Sequence, residues 1–129
     1  MSSICFVRVR GSRKFWTFSM NPRPGEVGLA DLGLSAKTRP VVIVSRFDLD
    51  APRALAIYVP LTTRNRNSLY KVPIPRLAFL NEISVANVQG LASIPTVRLE
   101  RKLGKLPDNA MVEIRRALSF ALDLRPAGE

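Results

Sequence analysis

Two residues of this sequence, Arg39 and Thr62, have the types needed to act on a phosphodiester. Arginine stays charged at neutral pH, and its planar guanidinium matches two phosphate oxygens at once. A threonine hydroxyl can donate to a phosphoryl oxygen or hold a ribose hydroxyl. Reaction at a phosphodiester needs alignment of the reacting oxygens and stabilisation of charge on the phosphorane. We therefore expect Arg39 and Thr62 to form the catalytic pair.

Two hydrophobic strands are expected to hold this pair in place. Val41–Val44 is an unbroken β-branched run, which is typical of a strand buried on both faces. Pro40 has no N–H for a ladder, so it belongs at the first residue of that strand. Ala54–Leu61 is the second run and leads into the threonine, and the polar turn Asp48–Pro52 predicts that the two strands are antiparallel. Both candidate side chains then meet at one end of the fold.

The rest of the chain predicts short strands followed by one helix. Further strand patterns cover Glu26–Leu32, Tyr70–Pro75, Ser84–Val88 and Val97–Leu106, and Ser93-Ile94-Pro95 interrupts the pattern. After Pro107, apolar residues recur at helical spacing: Met111, Ile114, Leu118, Ala121 and Leu122. The fold class predicted is mostly β with a C-terminal helix (α+β), a small barrel of antiparallel strands capped by the helix.

The composition limits the function classes. A net charge of +10 favours a polyanionic partner: nucleic acid, an acidic protein segment or an anionic membrane surface. The chain has no histidine, which excludes Ser-His-Asp and Cys-His arrangements, and the single Cys5 excludes an internal disulfide. No apolar run approaches the ~20 residues of a bilayer span. We expect a cytoplasmic protein with one domain over residues 20–129.

Residues 1–19 are basic and contain no acid, and they precede Met20 and a turn-rich segment. We interpret them as a poorly ordered extension, with Met20 as the natural start. The alternative is a functional basic arm whose aromatic residues Phe15, Trp16 and Phe18 stack on bases.

Polar and basic residues near the strand ends are candidates for binding RNA, with arginine on phosphates and amides on base edges. They are Lys37, Thr63, Arg64, Asn65, Arg66, Asn87, Gln89 and Ser93. The structural alternatives are a solvated hairpin tip for the 64–67 loop, an ordinary strand-end residue for Thr63, and hydrogen bonding to the backbone for Asn87, Gln89 and Ser93. Arg39 could likewise be a surface arginine paired with Asp31 or Glu26, and Thr62 an ordinary strand-end residue.

The order of several motifs resembles the MazF/PemK toxins. The motifs are Gly25-Glu26-Val27, Ala30-Asp31-Leu32-Gly33, Thr38-Arg39-Pro40-Val41-Val42-Ile43-Val44-Ser45, Val59-Pro60-Leu61-Thr62-Thr63 and Arg101-Lys102-Leu103-Gly104-Lys105-Leu106-Pro107. The resemblance implies a helix-capped, SH3-like barrel of the CcdB/PemK type that forms a homodimer. It also implies metal-independent, sequence-specific cleavage of single-stranded RNA, in which 2′-hydroxyl attack leaves a 2′,3′-cyclic phosphate. A cognate antitoxin is the implied protein partner, and no cofactor, metal or membrane is implied. In the family's motifs Arg39 matches the catalytic arginine and Thr62 its companion.

Two departures from the family pattern concern the general base. Gly33–Lys37 holds no histidine, and no arginine–aspartate pair precedes Gln89. The base therefore stays unassigned, and weakened nuclease activity is one alternative. A second is a toxin on the same fold that inhibits a protein target such as DNA gyrase, and a third is a basic nucleic-acid-binding barrel without toxicity.

Overall fold

The computed structural model describes residues 4–8, 14–18, 21–33, 38–64 and 67–125. Within these ranges the chain forms nine strands and one α-helix. The strands are β1 (Ile4–Arg8), β2 (Lys14–Phe18), β3 (Glu26–Asp31), β4 (Thr38–Ile43), β5 (Leu55–Thr62), β6 (Lys71–Pro73), β7 (Val85–Asn87), β8 (Ala92–Pro95) and β9 (Leu99–Lys105), and the helix is α1 (Asp108–Ala121). Short 3₁₀ turns occupy Val88–Gly90 and Thr96–Arg98.

Seven strands form one antiparallel sheet. Six of them follow the order β6-β7-β5-β4-β3-β9, and the seventh, β8, pairs with the first half of β5. The mostly β architecture with a C-terminal helix is confirmed. The expected barrel closure is not reached, because β6 and β9 do not pair with each other in the described part of the chain. Strand β5 is the longest strand and has β4 on one side and both β7 and β8 on the other.

Two hydrophobic clusters lie on opposite faces of the central strands. Val42 and Val59 belong to the cluster that packs under α1, whereas Val41 and Tyr58 belong to a second cluster that includes Leu99. Alternate residues of a strand point to opposite faces, so β4 and β5 contribute to both clusters. This explains why the sequence of β4 reads as a continuous apolar run rather than as an alternation.

Three details of the sequence-based prediction are wrong. The segment around Ser93 does not interrupt the pattern but forms β8, which pairs with Leu55–Tyr58 of β5. Leu122 follows the last residue of the helix and is 52% exposed. The buried face of the helix instead includes the small residues Ala110 and Ala117. Pro40 is the third residue of β4, which begins at Thr38, rather than its first residue. No helix in the described ranges is long and apolar enough to cross a membrane.

Residues 4–8 and 14–18 form an antiparallel pair of their own, β1 with β2, and β2 contacts β9. The sequence predicts a poorly ordered extension over residues 1–19, and the structure has these two strands within it. Met20 lies outside the described residues, so the natural start at Met20 stays a prediction.

A buried ion pair joins β3 to β9. Lys102 Nζ donates to Glu26 Oε2 at 2.8 Å, and the Arg23 backbone N–H donates to Glu26 Oε1, also at 2.8 Å. The side chain of Glu26 is only 3% exposed. A charge buried this deeply needs its partner, because removal of either member leaves the other without compensation.

We expect Glu26→Ala to lower the free energy of unfolding by about 3–5 kcal/mol, because it leaves the Lys102 ammonium without its buried partner. Urea unfolding followed by circular dichroism measures the change. The matched control is Glu113→Ala, which breaks the exposed 2.8 Å pair with Arg116 and should change stability by about 0.5 kcal/mol or less. Equal effects of the two substitutions would contradict this assignment.

Candidate nucleic-acid interface

The register between β4 and β5 brings Arg39 and Thr62 together. The paired register of these antiparallel strands ends with Val41 opposite Pro60, and two residues beyond this pair Arg39 and Thr62 line the same groove. Both side chains lie on the face of the second cluster, since they alternate in step with Val41 and Pro60. The two candidates therefore lie near each other, where β4 begins and β5 ends.

These side chains line a groove of about 470 Å³ where β4 begins and β5 ends. We call it the arginine groove, and its described lining is Arg39, Pro40, Leu61, Thr62, Thr63, Arg64 and Ser84. Both arginines are exposed, and this lining contains no acidic side chain. The groove thus presents two guanidinium groups and several hydroxyl groups to solvent, a combination that suits a phosphodiester anion.

The hydroxyl of Thr62 has a structural role besides its place in the groove. Its Oγ1 accepts a hydrogen bond from the Arg64 backbone N–H at 3.2 Å, which closes a tight turn at the end of β5. The carbonyl oxygen of Arg64 accepts a hydrogen bond from Lys71 Nζ at 3.1 Å. The Thr62 hydroxyl proton is not used by the turn and can still donate to a ligand.

The alternative in which Arg39 belongs to a surface ion pair is not realised among the described residues. Glu26 is bound to Lys102, and Asp31 Oδ1 accepts from the Gly33 backbone N–H at 2.9 Å. Neither acid forms a salt bridge with Arg39. The guanidinium is therefore available to an external anion.

Other predicted RNA-binding residues lie outside the lining of the arginine groove or outside the described residues. Asn87 Oδ1 accepts from the Gln89 backbone N–H at 3.3 Å and so caps the 3₁₀ turn. Ser93 is opposite Ile57 in the β5–β8 pair and lines a different cavity, together with Arg46 and Arg53. Three further candidates lie outside the described residues: Lys37, Asn65 and Arg66.

One residue of the arginine groove was missed from the sequence. Ser84 is only 8% exposed, and its hydroxyl donates to the Glu82 carbonyl oxygen at 3.1 Å. It reaches the groove because β7 pairs with β5 with Val85 opposite Thr62. The only signal in the sequence was a polar residue at the start of a predicted strand, and the pairing partner of that strand was not predictable. No group of three or more potential metal-ligating side chains occurs in the ranges described.

Comparison with known proteins gives one consistent result. Residues 23–122 match the model of the family described as PemK-like, MazF-like toxins of type II toxin–antitoxin systems. The endoribonuclease MazF3 of Mycobacterium tuberculosis is 32% identical over 89 residues, which cover 68% of this chain and 85% of that protein.

Solved structures resemble the fold over most of its length. An endoribonuclease in complex with its cognate antitoxin from a mycobacterial species superposes with a TM-score of 0.72 at 28% identity, covering 81% of this chain and 98% of that one. The Mycobacterium tuberculosis toxin MazF-mt6 has a TM-score of 0.69 at 29% identity, covering 81% of this chain and all of its own.

Removal of the Thr62 hydroxyl should loosen the turn that carries Arg64. We expect Thr62→Val to speed hydrogen exchange of the Arg64 amide about two- to tenfold, because a hydrogen bond worth roughly 0.5–1.5 kcal/mol is lost. Thr62→Ser keeps the acceptor and should exchange like the wild type. Amide exchange measured by NMR checks both variants, and an unchanged rate in Thr62→Val would show that this hydrogen bond does not hold the turn.

Proposed function

The chain belongs to the PemK-like, MazF-like toxins of type II toxin–antitoxin systems, and on that premise we propose that it is a sequence-specific endoribonuclease acting on single-stranded RNA. The observation that carries the proposal is the arginine groove, in which Arg39 and Thr62 share one face with Arg64. The endoribonuclease MazF3, which is 32% identical to this chain, supports the same activity.

In the proposed reaction the RNA supplies its own nucleophile. The 2′-oxygen attacks the neighbouring phosphorus, the bond from phosphorus to the 5′-oxygen breaks, and a 2′,3′-cyclic phosphate and a 5′-hydroxyl remain. The 2′-hydroxyl loses its proton and the departing 5′-oxygen gains one. The Arg39 guanidinium binds two nonbridging oxygens of the phosphorane as negative charge develops there.

The other groove residues align the substrate. The Thr62 hydroxyl donates its free proton to a phosphoryl oxygen or holds the 2′-hydroxyl, and Thr63 and Arg64 bind the flanking backbone. The described lining has no carboxylate, and the sequence has no histidine. The proposal therefore depends on electrostatic stabilisation and alignment rather than on proton abstraction by a side chain. The remaining predicted RNA contacts stay predictions: Lys37, Asn65, Arg66, Asn87, Gln89 and Ser93.

A cognate antitoxin and a second copy of the chain are the protein partners that we propose. One of the similar structures is an endoribonuclease bound to its cognate antitoxin. A chain with a charge of +10 would attract an acidic antitoxin segment as well as RNA. We propose a cytoplasmic location for this activity.

We expect Arg39→Ala to lower the rate of RNA cleavage by about 10²–10³, because a preorganised donor to the phosphorane is lost. Arg39→Lys keeps the charge but loses the two-pronged geometry, so its rate should lie between those of the alanine variant and the wild type. Single-turnover cleavage of a defined transcript in the presence of EDTA measures these rates.

The matched control is Arg115→Ala on the exposed side of α1, which removes the same charge outside the described lining of the groove and should cleave at the wild-type rate. Thermal unfolding checks that the variants remain folded. A wild-type rate in Arg39→Ala would contradict the site assignment. Intact RNA with the wild-type protein, together with inhibited DNA supercoiling by gyrase, would instead favour the toxin that acts on a protein target.

A further inference from the structure

Arg64 is the second guanidinium of the arginine groove, and both polar groups of its backbone are held by side chains. Its N–H donates to Thr62 Oγ1 at 3.2 Å, and its carbonyl oxygen accepts from Lys71 Nζ at 3.1 Å. Arg64 is exposed. It lies two residues beyond Thr62, the last residue of β5, and so outside the strand pairing of β5. Two side chains thus fix the backbone from which the Arg64 side chain projects.

Lys71 is well placed to provide one of these two hydrogen bonds. It begins β6, where it pairs with Asn87 of β7, and its backbone N–H donates to the Ser68 carbonyl oxygen at 3.1 Å. The main chain of Lys71 is therefore anchored to the sheet. Its flexible side chain brings the ammonium to the carbonyl oxygen of Arg64, which is seven residues earlier in the sequence. A hydrogen bond from a charged donor is stronger than a neutral one, which compensates for its exposed position.

Lys71 does not line the arginine groove itself. It lines the neighbouring surface with Leu69 and Pro73, and on the helix side with Phe120. Its charge is therefore directed to the Arg64 carbonyl oxygen rather than into the space that a phosphate would occupy. This separates two roles that sequence reasoning cannot distinguish: a lysine that binds RNA and a lysine that positions an arginine.

We propose that Lys71 is a positioning residue that, with Thr62, holds Arg64 in the direction needed to bind an RNA phosphate in the groove. The inference rests on the proposed function, since it assumes that the groove binds RNA. Lys71 contributes to RNA binding only through Arg64. Its effect should therefore disappear when the Arg64 side chain can no longer bind a phosphate.

A double-mutant cycle on RNA binding tests this coupling. The probe is a single-stranded 2′-O-methyl RNA, which cannot be cleaved by internal attack, and affinity is measured by fluorescence anisotropy over a series of salt concentrations. Each phosphate neutralised on a single strand contributes about 0.7 to the slope of log affinity against log salt. Arg64→Gln and Lys71→Met should each reduce the slope by up to about 0.7. The double variant should match Arg64→Gln, with a loss of one contact and not two.

The controls separate positioning from charge and from folding. Lys71→Arg keeps a charged donor and should restore most of the affinity and the slope. Arg115→Met removes one exposed positive charge from α1 and should change neither. A purely structural role of Lys71 would lower the unfolding temperature in both backgrounds while leaving the salt slope unchanged.

Besides that structural outcome, two results would overturn the inference while the proposed function stands. One is additive loss in the double variant, with a slope reduced by about 1.4, which would mean that Lys71 binds RNA directly. The other is wild-type binding by Lys71→Met. By contrast, a wild-type protein that shows no salt-dependent binding to the RNA would contradict the proposed function itself.

Discussion

The register of β4 against β5 is the constraint on which the candidate site depends. With Val41 opposite Pro60, the alternation of side chains puts Arg39 and Thr62 on the same face, whereas a shift of one residue would turn them to opposite faces. Clusters on both faces resist such a shift, because it would move Val41 and Val42 into each other's environments. The packing of Val41 and Val42 thus determines that the guanidinium of Arg39 and the hydroxyl of Thr62 share a face at the strand ends.

Neighbouring elements reinforce the same arrangement. Gly90 lets the 3₁₀ turn before β8 approach β5 so closely that a Cβ at this position would lie 2.5 Å from the Pro60 ring. On the other side, the buried pair between Glu26 and Lys102 fixes β3 against β9, and β3 in turn pairs with β4. Strand β4 is therefore paired on both sides, while its first two residues, Thr38 and Arg39, are exposed.

The sequence predicted the central pair of strands and the helix, because these follow from local patterns: a β-branched run and helical periodicity. It did not predict β8, since Pro95 reads as a break until its pairing with Leu55 at the edge of the sheet is known. Ser84 was missed and Ser93 was grouped with the wrong residues for a similar reason. Which strand ends share one edge is decided by long-range pairing, and a single sequence shows that only weakly.

The hydrogen bonds around Arg64 belong to the same class of unpredictable detail. Their donors and acceptors come from Thr62 and Lys71, residues on two strands that are not adjacent in the sheet. The sequence shows a basic loop, but only the structure shows that one of its cations has a fixed backbone. A cationic side chain on a fixed backbone loses less conformational freedom when it binds a phosphate than one on a mobile backbone does.

The end groups of the cleaved RNA test the central claim most directly. A defined transcript is incubated with the protein in EDTA, and the termini at each cut are mapped and identified. The account predicts discrete cuts with a 2′,3′-cyclic phosphate on the upstream fragment and a 5′-hydroxyl on the downstream one, and no cut where the upstream nucleotide lacks its 2′-hydroxyl. Fragments ending in a 3′-hydroxyl and a 5′-phosphate, or cleavage that persists without the 2′-hydroxyl, would contradict it.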